Sequence, residues 1–194
     1  MPANVPPVAD EREGLLAFLA QQRDALRTAA YGLTDEQARA TPTTSALSVG
    51  GLVKHVTGVE RGWMDTVLQR QRSLEESEGN YTDGFTMLVG ETLAGILADN
   101  RAAAEETEQI IAGIADLDQP VPVPDAPWFP KDVDAWSVRW VLLHLIEEVA
   151  RHAGHADIIR ESVDGATFWS LQAAAEDWPE SPWIQKWTPA AQPA

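Results

Sequence analysis

Three of the four histidines of this chain lie in the short segment HLIEEVARHAGH, which also holds two glutamates. Glu148 and His152 stand four positions apart there. In an α-helix such a pair projects from one side, about one turn apart, and offers a carboxylate oxygen and an imidazole nitrogen. These two side chains could therefore form half of a divalent-metal site.

The position of each side chain on the helix can be estimated from about 100° of rotation per residue. His152 then lies about 40° from Glu148 toward the apolar stripe, whereas His155 and His144 lie about 20° and 40° away on the other side. We expect His152 on the core face, Glu148 at its edge and the other two further out. A third ligand must come from a facing helix, where the remaining histidine is His55. Three N/O ligands with an open position are typical of catalytic zinc sites and also suit nickel.

The same spacing also occurs by chance on helices without a metal. In that interpretation Glu148 pairs with Arg151 or with an arginine of a neighbouring helix, and His144 and His152 are ordinary core histidines. Burying a carboxylate beside an imidazole costs several kcal/mol unless both are engaged, and a shared cation engages both. This cost favours the metal site, although the spacing alone leaves both interpretations open.

The elements that must position these residues are helices, because apolar residues recur at three and four spacings in four long segments. These segments run from Asp10 to near Gly32, from about Ser48 to Gln71, from Thr86 to Leu117, and from near Ser137 to about Val163, where Gly165 stops the helix. No alternating pattern of strand length is present. The sequence predicts an all-α fold, an antiparallel four-helix bundle with long connections.

The domain organisation follows from these segments. Residues 1–9 are expected to be a flexible leader, 10–170 a metal-binding four-helix-bundle domain, and 171–194 a C-terminal extension packed on the bundle. Thr34 and Gln37 stand in capping-box positions for a short helical turn. The segment 118–137 holds five prolines, so we expect an irregular connection there, with neither a long helix nor a central strand. Tryptophans on or just after it, Trp128, Trp136 and Trp140, either line the mouth of a pocket or pack the bundle end.

Composition excludes several classes of function. The formal net charge of −16 disfavours nucleic acid and anionic membranes as partners. The chain has no cysteine, which excludes disulfides, thiolate metal ligands and a cysteine nucleophile. We recognise neither an export signal nor a stretch of roughly 18 apolar residues, so a cytoplasmic location is expected.

Two long motifs point to a known family. GLVKHVTGVERGWM and RWVLLHLIEEVARHAGHADIIRESVDG resemble the DinB-like superfamily of helical bundles (DinB/YfiT type). Within it they resemble the actinobacterial mycothiol-dependent transferases related to mycothiol-dependent maleylpyruvate isomerase. The likeness extends from about residue 12 to about residue 170.

The resemblance implies a ligand set. A divalent metal, zinc first and nickel second, would be held by His55, Glu148 and His152, with glutamate at the position that marks the isomerase-like branch. His155 stands where many relatives have glutamine. We expect it to contact the ligands or to line the pocket, from where it could move in as a fourth ligand. His144 is expected to be a flanking histidine.

The resemblance also implies an activity. The protein would be a metal-dependent thiol S-transferase that uses mycothiol as cosubstrate and acts on small electrophiles, with the metal converting the thiol to a thiolate. The isomerase activity itself is less favoured, because nothing in the sequence identifies a maleylpyruvate pocket. The alternatives are a stress-response protein that binds a metal or small ligand without turnover, and a purely structural bundle. A homodimer is expected from related bundles.

Overall fold

The four long helices occur in the order of the predicted segments, and short helices and two short strands lie between them. The structure is a computed structural model that describes residues 4–70 and 81–189. Those residues form α1 (Glu11–Ala29), α2 (Asp35–Arg39), α3 (Val49–Val67), α4 (Tyr81–Gly84), α5 (Leu93–Gly113), β1 (Pro120–Pro122), β2 (Ala135–Ser137), α6 (Val138–Asp164) and α7 (Phe168–Ala175). The all-α class is confirmed. None of the helices in the described ranges is both long enough and apolar enough to cross a membrane.

Each long helix begins at a side-chain cap. The caps are Asp10, Ser48, Thr92 and Ser137, and each side chain accepts a hydrogen bond from a backbone N–H in the first turn. The predicted starts of α1, α3 and α6 are therefore confirmed, as is the capping box of α2. The third long helix was predicted from Thr86, which is wrong: it begins after Thr92, whose cap fixes a later start, and it ends at Gly113.

Helices α1 and α6 pack along most of their length and run in the same direction. Arg139, near the start of α6, donates to Glu11 at the start of α1 with an Nε–Oε1 distance of 2.6 Å. Arg160, near the end of α6, donates to the carbonyl of Ala29 at the end of α1 over 2.8 Å. The two helices are thus parallel neighbours.

Helices α3 and α5 form a second parallel pair, joined by Thr57 with Asn100 (2.9 Å) and by Glu60 with Thr107 (2.5 Å). Helices α3 and α6, in contrast, pack antiparallel. The bundle was predicted to be antiparallel, but it contains parallel neighbours as well. A chain that continues from one helix into a parallel neighbour must return along the bundle, which requires a long connection of the kind that the sequence predicted. The candidate site lies between the antiparallel pair α3 and α6.

The proline-rich connection differs from its prediction in one respect. Instead of being irregular throughout, it contains the antiparallel strands β1 and β2, with Val121 opposite Trp136. Prolines are compatible with this ladder because both strands of a two-stranded sheet are edges, where the missing N–H need not be paired. The ladder fixes Trp136 immediately before α6.

The C-terminal segment returns to the end of α1. Helix α7 buries Leu171, Gln172 and Ala173. Further along, the ring of Trp187 lies over Gly32, where a Cβ atom would be 2.6 Å from it, and 4.9 Å from the guanidinium of Arg160.

Candidate metal centre

The three predicted ligands meet between α3 and α6. His55 projects from the second turn of α3, and Glu148 and His152 project one turn apart from the middle of α6. Glu148 Oε1 lies 3.2 Å from His55 Nε2 and 3.3 Å from His152 Nε2. One ligand atom from each residue lies within 4.8 Å of the other two.

These distances suit a tetrahedral cation. Zinc bonds to nitrogen and oxygen are about 2.0 to 2.2 Å long, so two ligand atoms of a tetrahedral site stand roughly 3.4 Å apart. The two nitrogen–oxygen separations are close to that value, and the separation between the two imidazole nitrogens is at most 4.8 Å. Two imidazoles and one carboxylate are also a donor set that zinc, nickel and other first-row ions accept. The residues therefore fit a divalent metal.

The helical-wheel positions agree with the observed burial. His152 is 8% exposed as a residue, whereas the Glu148 side chain is 22% exposed at the edge of the core. Hydrogen bonding to His152 and His55 holds the pKa of Glu148 well below its usual range. The carboxylate is thus ionised at neutral pH and supplies one negative charge to the site.

The two other histidines occupy different surroundings. His155 lies beside the site, with its Nδ1 atom 3.5 Å from Nδ1 of His152. His144 is not part of the cluster: its ring stacks on Trp140 with centroids 5.1 Å apart. Its Nδ1 atom is 3.9 Å from Glu147, a surface carboxylate that also pairs with Arg151. The metal-free interpretation had suggested a pair between Arg151 and Glu148. Arg151 instead contacts the neighbouring glutamate, Glu147.

Phe85 is a site residue that the sequence pattern did not identify. Its ring stacks on the imidazole of His55, with centroids 3.6 Å apart and an interplanar angle of 17°. It also lies 5.8 Å from the ring of His152. The sequence around Phe85 is typical of a polar loop. The pair Gly50 and Gly51 in the first turn of α3 could have indicated that another segment approaches this helix closely.

A separate cluster of aromatic rings joins α3, the start of α6 and the proline-rich connection. Trp136 and Trp140 stack with centroids 3.9 Å apart, and Trp63 of α3 lies 5.6 Å from Trp140. Phe129 of the proline-rich connection completes the cluster, 5.9 Å from Trp63. Trp128, the third tryptophan considered for the pocket mouth, is 73% exposed.

Comparison with known proteins identifies the family. A sequence profile described as mycothiol-S-transferase matches residues 14–165. The chain belongs to the mycothiol-S-transferase family. This is a DinB-like family, so the resemblance noted in the sequence is confirmed. The matched range of this mycothiol-S-transferase family member includes His55, Phe85, Glu148 and His152.

The fold has a solved counterpart. The crystal structure of the conserved protein of locus from Enterococcus faecalis superposes with a TM-score of 0.62 at 17% sequence identity. The similarity covers 82% of this chain and 100% of that one, and shows a shared fold. No curated protein matches the chain in sequence.

Proposed function

We propose that this member of the mycothiol-S-transferase family is a metal-dependent enzyme that transfers mycothiol to small electrophiles. The observation that carries the proposal is the convergence of His55, Glu148 and His152, with ligand atoms within 4.8 Å of one another, inside the range that the family profile matches. Zinc is the first candidate for the metal and nickel the second, because three N/O ligands accept both.

The chain needs a thiol from outside, because it has no cysteine of its own. A free thiol has a pKa of about 8.5 and is mostly protonated at neutral pH. A divalent cation bound by the three side chains would supply the positive charge that favours the thiolate. The ionised carboxylate of Glu148 supplies part of the negative charge that holds such a cation.

The proposed transfer is a nucleophilic substitution at the electrophilic carbon. A bond forms between the thiol sulfur and the electrophilic carbon, and a leaving group departs with the electron pair of its bond to that carbon. The thiol proton passes to solvent or buffer. The protein contributes position and a partly buried set of ligands: Phe85 covers one face of His55, and the side chains of His55 and Glu148 are 10% and 22% exposed.

The test has two parts, binding and turnover. Zinc-loaded protein is titrated with mycothiol in a calorimeter, and formation of the S-conjugate with monobromobimane is followed by mass spectrometry. We expect saturable heat near one thiol per zinc and product formation that depends on enzyme. The His55→Ala protein should lose both, whereas the Arg151→Ala protein, altered at an exposed position, should keep both.

Two results would contradict the proposal. Absence of heat together with absence of enzyme-dependent product would leave a protein that binds a metal without turnover. Turnover that persists in His55→Ala would place the chemistry elsewhere. The homodimer and the cytoplasmic location remain predictions, which sedimentation and cell fractionation address.

A further inference from the structure

Phe85 makes a contact with the site that apolar packing alone does not require. Its ring lies nearly parallel to the imidazole of His55, and the 3.6 Å between centroids leaves almost no lateral offset. Most of one imidazole face is therefore covered by carbon. The Nε2 atom, at the edge of that ring, remains directed at Glu148.

Phe85 can lie this close to His55 because the first turn of α3 contains two glycines, Gly50 and Gly51. A Cβ atom on Gly51 would lie 1.9 Å from the carbonyl oxygen of Phe85 and 2.8 Å from its carbonyl carbon. A Cβ atom on Gly50 would lie 2.7 Å from the sulfur of Met87. Any side chain at position 51 would thus push the backbone of Phe85 away from the helix.

The residues that follow Phe85 are also held against α3. Lys54 donates to the carbonyl of Thr86 over 3.1 Å and pairs with Glu91 over 2.8 Å. Met87 is 4% exposed and belongs to the core. The segment 85–87 is therefore docked along the first two turns of α3, next to His55.

From these contacts we propose that Phe85 is a positioning residue for His55. Gly51 makes the contact possible because it leaves room for the backbone of Phe85. The stacked ring restricts rotation of the imidazole, so that Nε2 faces Glu148 and His152, and it keeps water from the covered face. This inference rests on the proposed metal site, since a positioned Nε2 atom has a function only if it binds a ligand.

The experiment measures Co²⁺ binding and its visible absorption in the full-length protein. Five proteins are compared: wild type, Phe85→Leu, Phe85→Tyr, Gly51→Ala and Gly58→Ala. The last is a matched control, because a Cβ atom on Gly58 of the same helix meets nothing within 4 Å. Melting temperatures are recorded for all five, so that loss of stability is separated from loss of metal binding.

We expect Phe85→Leu and Gly51→Ala to bind Co²⁺ roughly tenfold more weakly, with altered absorption bands, as is typical when a group that orients a metal ligand is removed. Phe85→Tyr keeps the stacked ring and should bind Co²⁺ with the affinity and spectrum of wild type, as should Gly58→Ala. The inference is overturned if Phe85→Leu matches wild type in affinity and spectrum, or if Phe85→Tyr is as weak as Phe85→Leu.

A second measurement does not depend on any Phe85 variant folding. In the metal-free wild type, the ring current of Phe85 should shift the imidazole proton resonances of His55 upfield, with the assignment made by comparison with His55→Gln. Unshifted resonances would overturn the inference. If wild type shows the ring-current shift but binds no Co²⁺, the proposed function fails while the stack itself is retained.

Discussion

His55 and Glu148 are separated by 93 positions in the sequence, and their Nε2 and Oε1 atoms lie 3.2 Å apart in the folded bundle. Neither helix alone presents all three ligand atoms, so the site exists only when α3 and α6 are packed together. A metal that binds there binds the folded state and not the unfolded chain, which couples metal binding to stability.

The first prediction follows from that coupling. Zinc at 100 times its dissociation constant should raise the free energy of unfolding by about 2.7 kcal/mol relative to protein in chelator. Urea unfolding with and without zinc measures the difference. The gain should disappear in His55→Ala and persist in His144→Ala, whose ring stacks on Trp140 outside the cluster. An equal gain in all three proteins would show that zinc binds elsewhere.

The second prediction concerns Asp157, whose Oδ1 atom is buried without a hydrogen-bond partner among the described residues. Burial, with a smaller effect of Glu161, raises the pKa of Asp157 to about 6. Between pH 4 and pH 6, approximately, the folded state keeps a proton that the unfolded chain has lost, so stability falls as pH rises through this window.

Asp157→Asn should remove that dependence. At pH 7 the variant should be more stable than wild type by about 1 kcal/mol, a figure reduced for partial solvent screening, and near pH 4 the two should be similar. Urea unfolding across this pH range measures it, with Asp132→Asn as the exposed control. A constant difference between Asp157→Asn and wild type at every pH would contradict the assignment.

The third prediction compares the loss of stability on replacing a buried arginine, Arg160, with the loss on replacing an exposed one, Arg151. Arg160 is fully buried, donates to the carbonyls of Ala29 and Tyr31 over 2.8 and 2.7 Å, and forms a two-contact ion pair with Asp164. Arg160→Ala should lower the free energy of unfolding by about 3 kcal/mol, because it removes a fully buried side chain and leaves two carbonyls and the carboxylate of Asp164, whose side chain is only 15% exposed, without their partner.

The control for Arg160 is Arg151, whose side chain is 63% exposed in its pair with Glu147. Arg151→Ala should change stability by less than about 0.5 kcal/mol. Thermal and urea unfolding of the two variants provide the comparison. Similar losses in both would mean that the bonds from α6 to the end of α1 contribute little.

The fourth prediction tests the end of α6. Gly165 caps this helix with a φ of 77°, a left-handed conformation that L-residues disfavour. Gly165→Ala should therefore cost about 1 kcal/mol. Gly58→Ala, in the exposed interior of α3, should instead stabilise by about 0.5 to 1 kcal/mol. Opposite signs of the two changes in melting temperature would confirm the assignment, and equal losses would contradict it.

Much of the helical structure could be predicted because its determinants are local. Ser48 and Ser137 cap the helices that they were expected to cap, and Gly165 ends α6 as predicted. The later start of α5 shows the limit of this reasoning. The apolar pattern continues across Thr86 to Thr92, but the cap at Thr92 decides where the helix begins.

The site could be predicted only in part. Periodicity placed His152 in the core and Glu148 at its edge. His55 was predicted as their partner because it is the one histidine outside that segment, and the family resemblance implied the same residue. The stack of Phe85 on His55 depends on a backbone approach that Gly51 permits between segments about 30 residues apart, and no periodic pattern records such a contact. The pairing of Val121 with Trp136 was also missed, because it too is a contact between distant residues that no periodic pattern records.

The most direct test of the account is anomalous diffraction at the zinc and nickel absorption edges, with crystals of the untagged protein. We predict one anomalous peak between α3 and α6, about 2.0 to 2.2 Å from His55 Nε2, His152 Nε2 and a carboxylate oxygen of Glu148. Well-ordered crystals grown with either metal in excess that show no peak there, or a peak held by other side chains, would contradict the central claim.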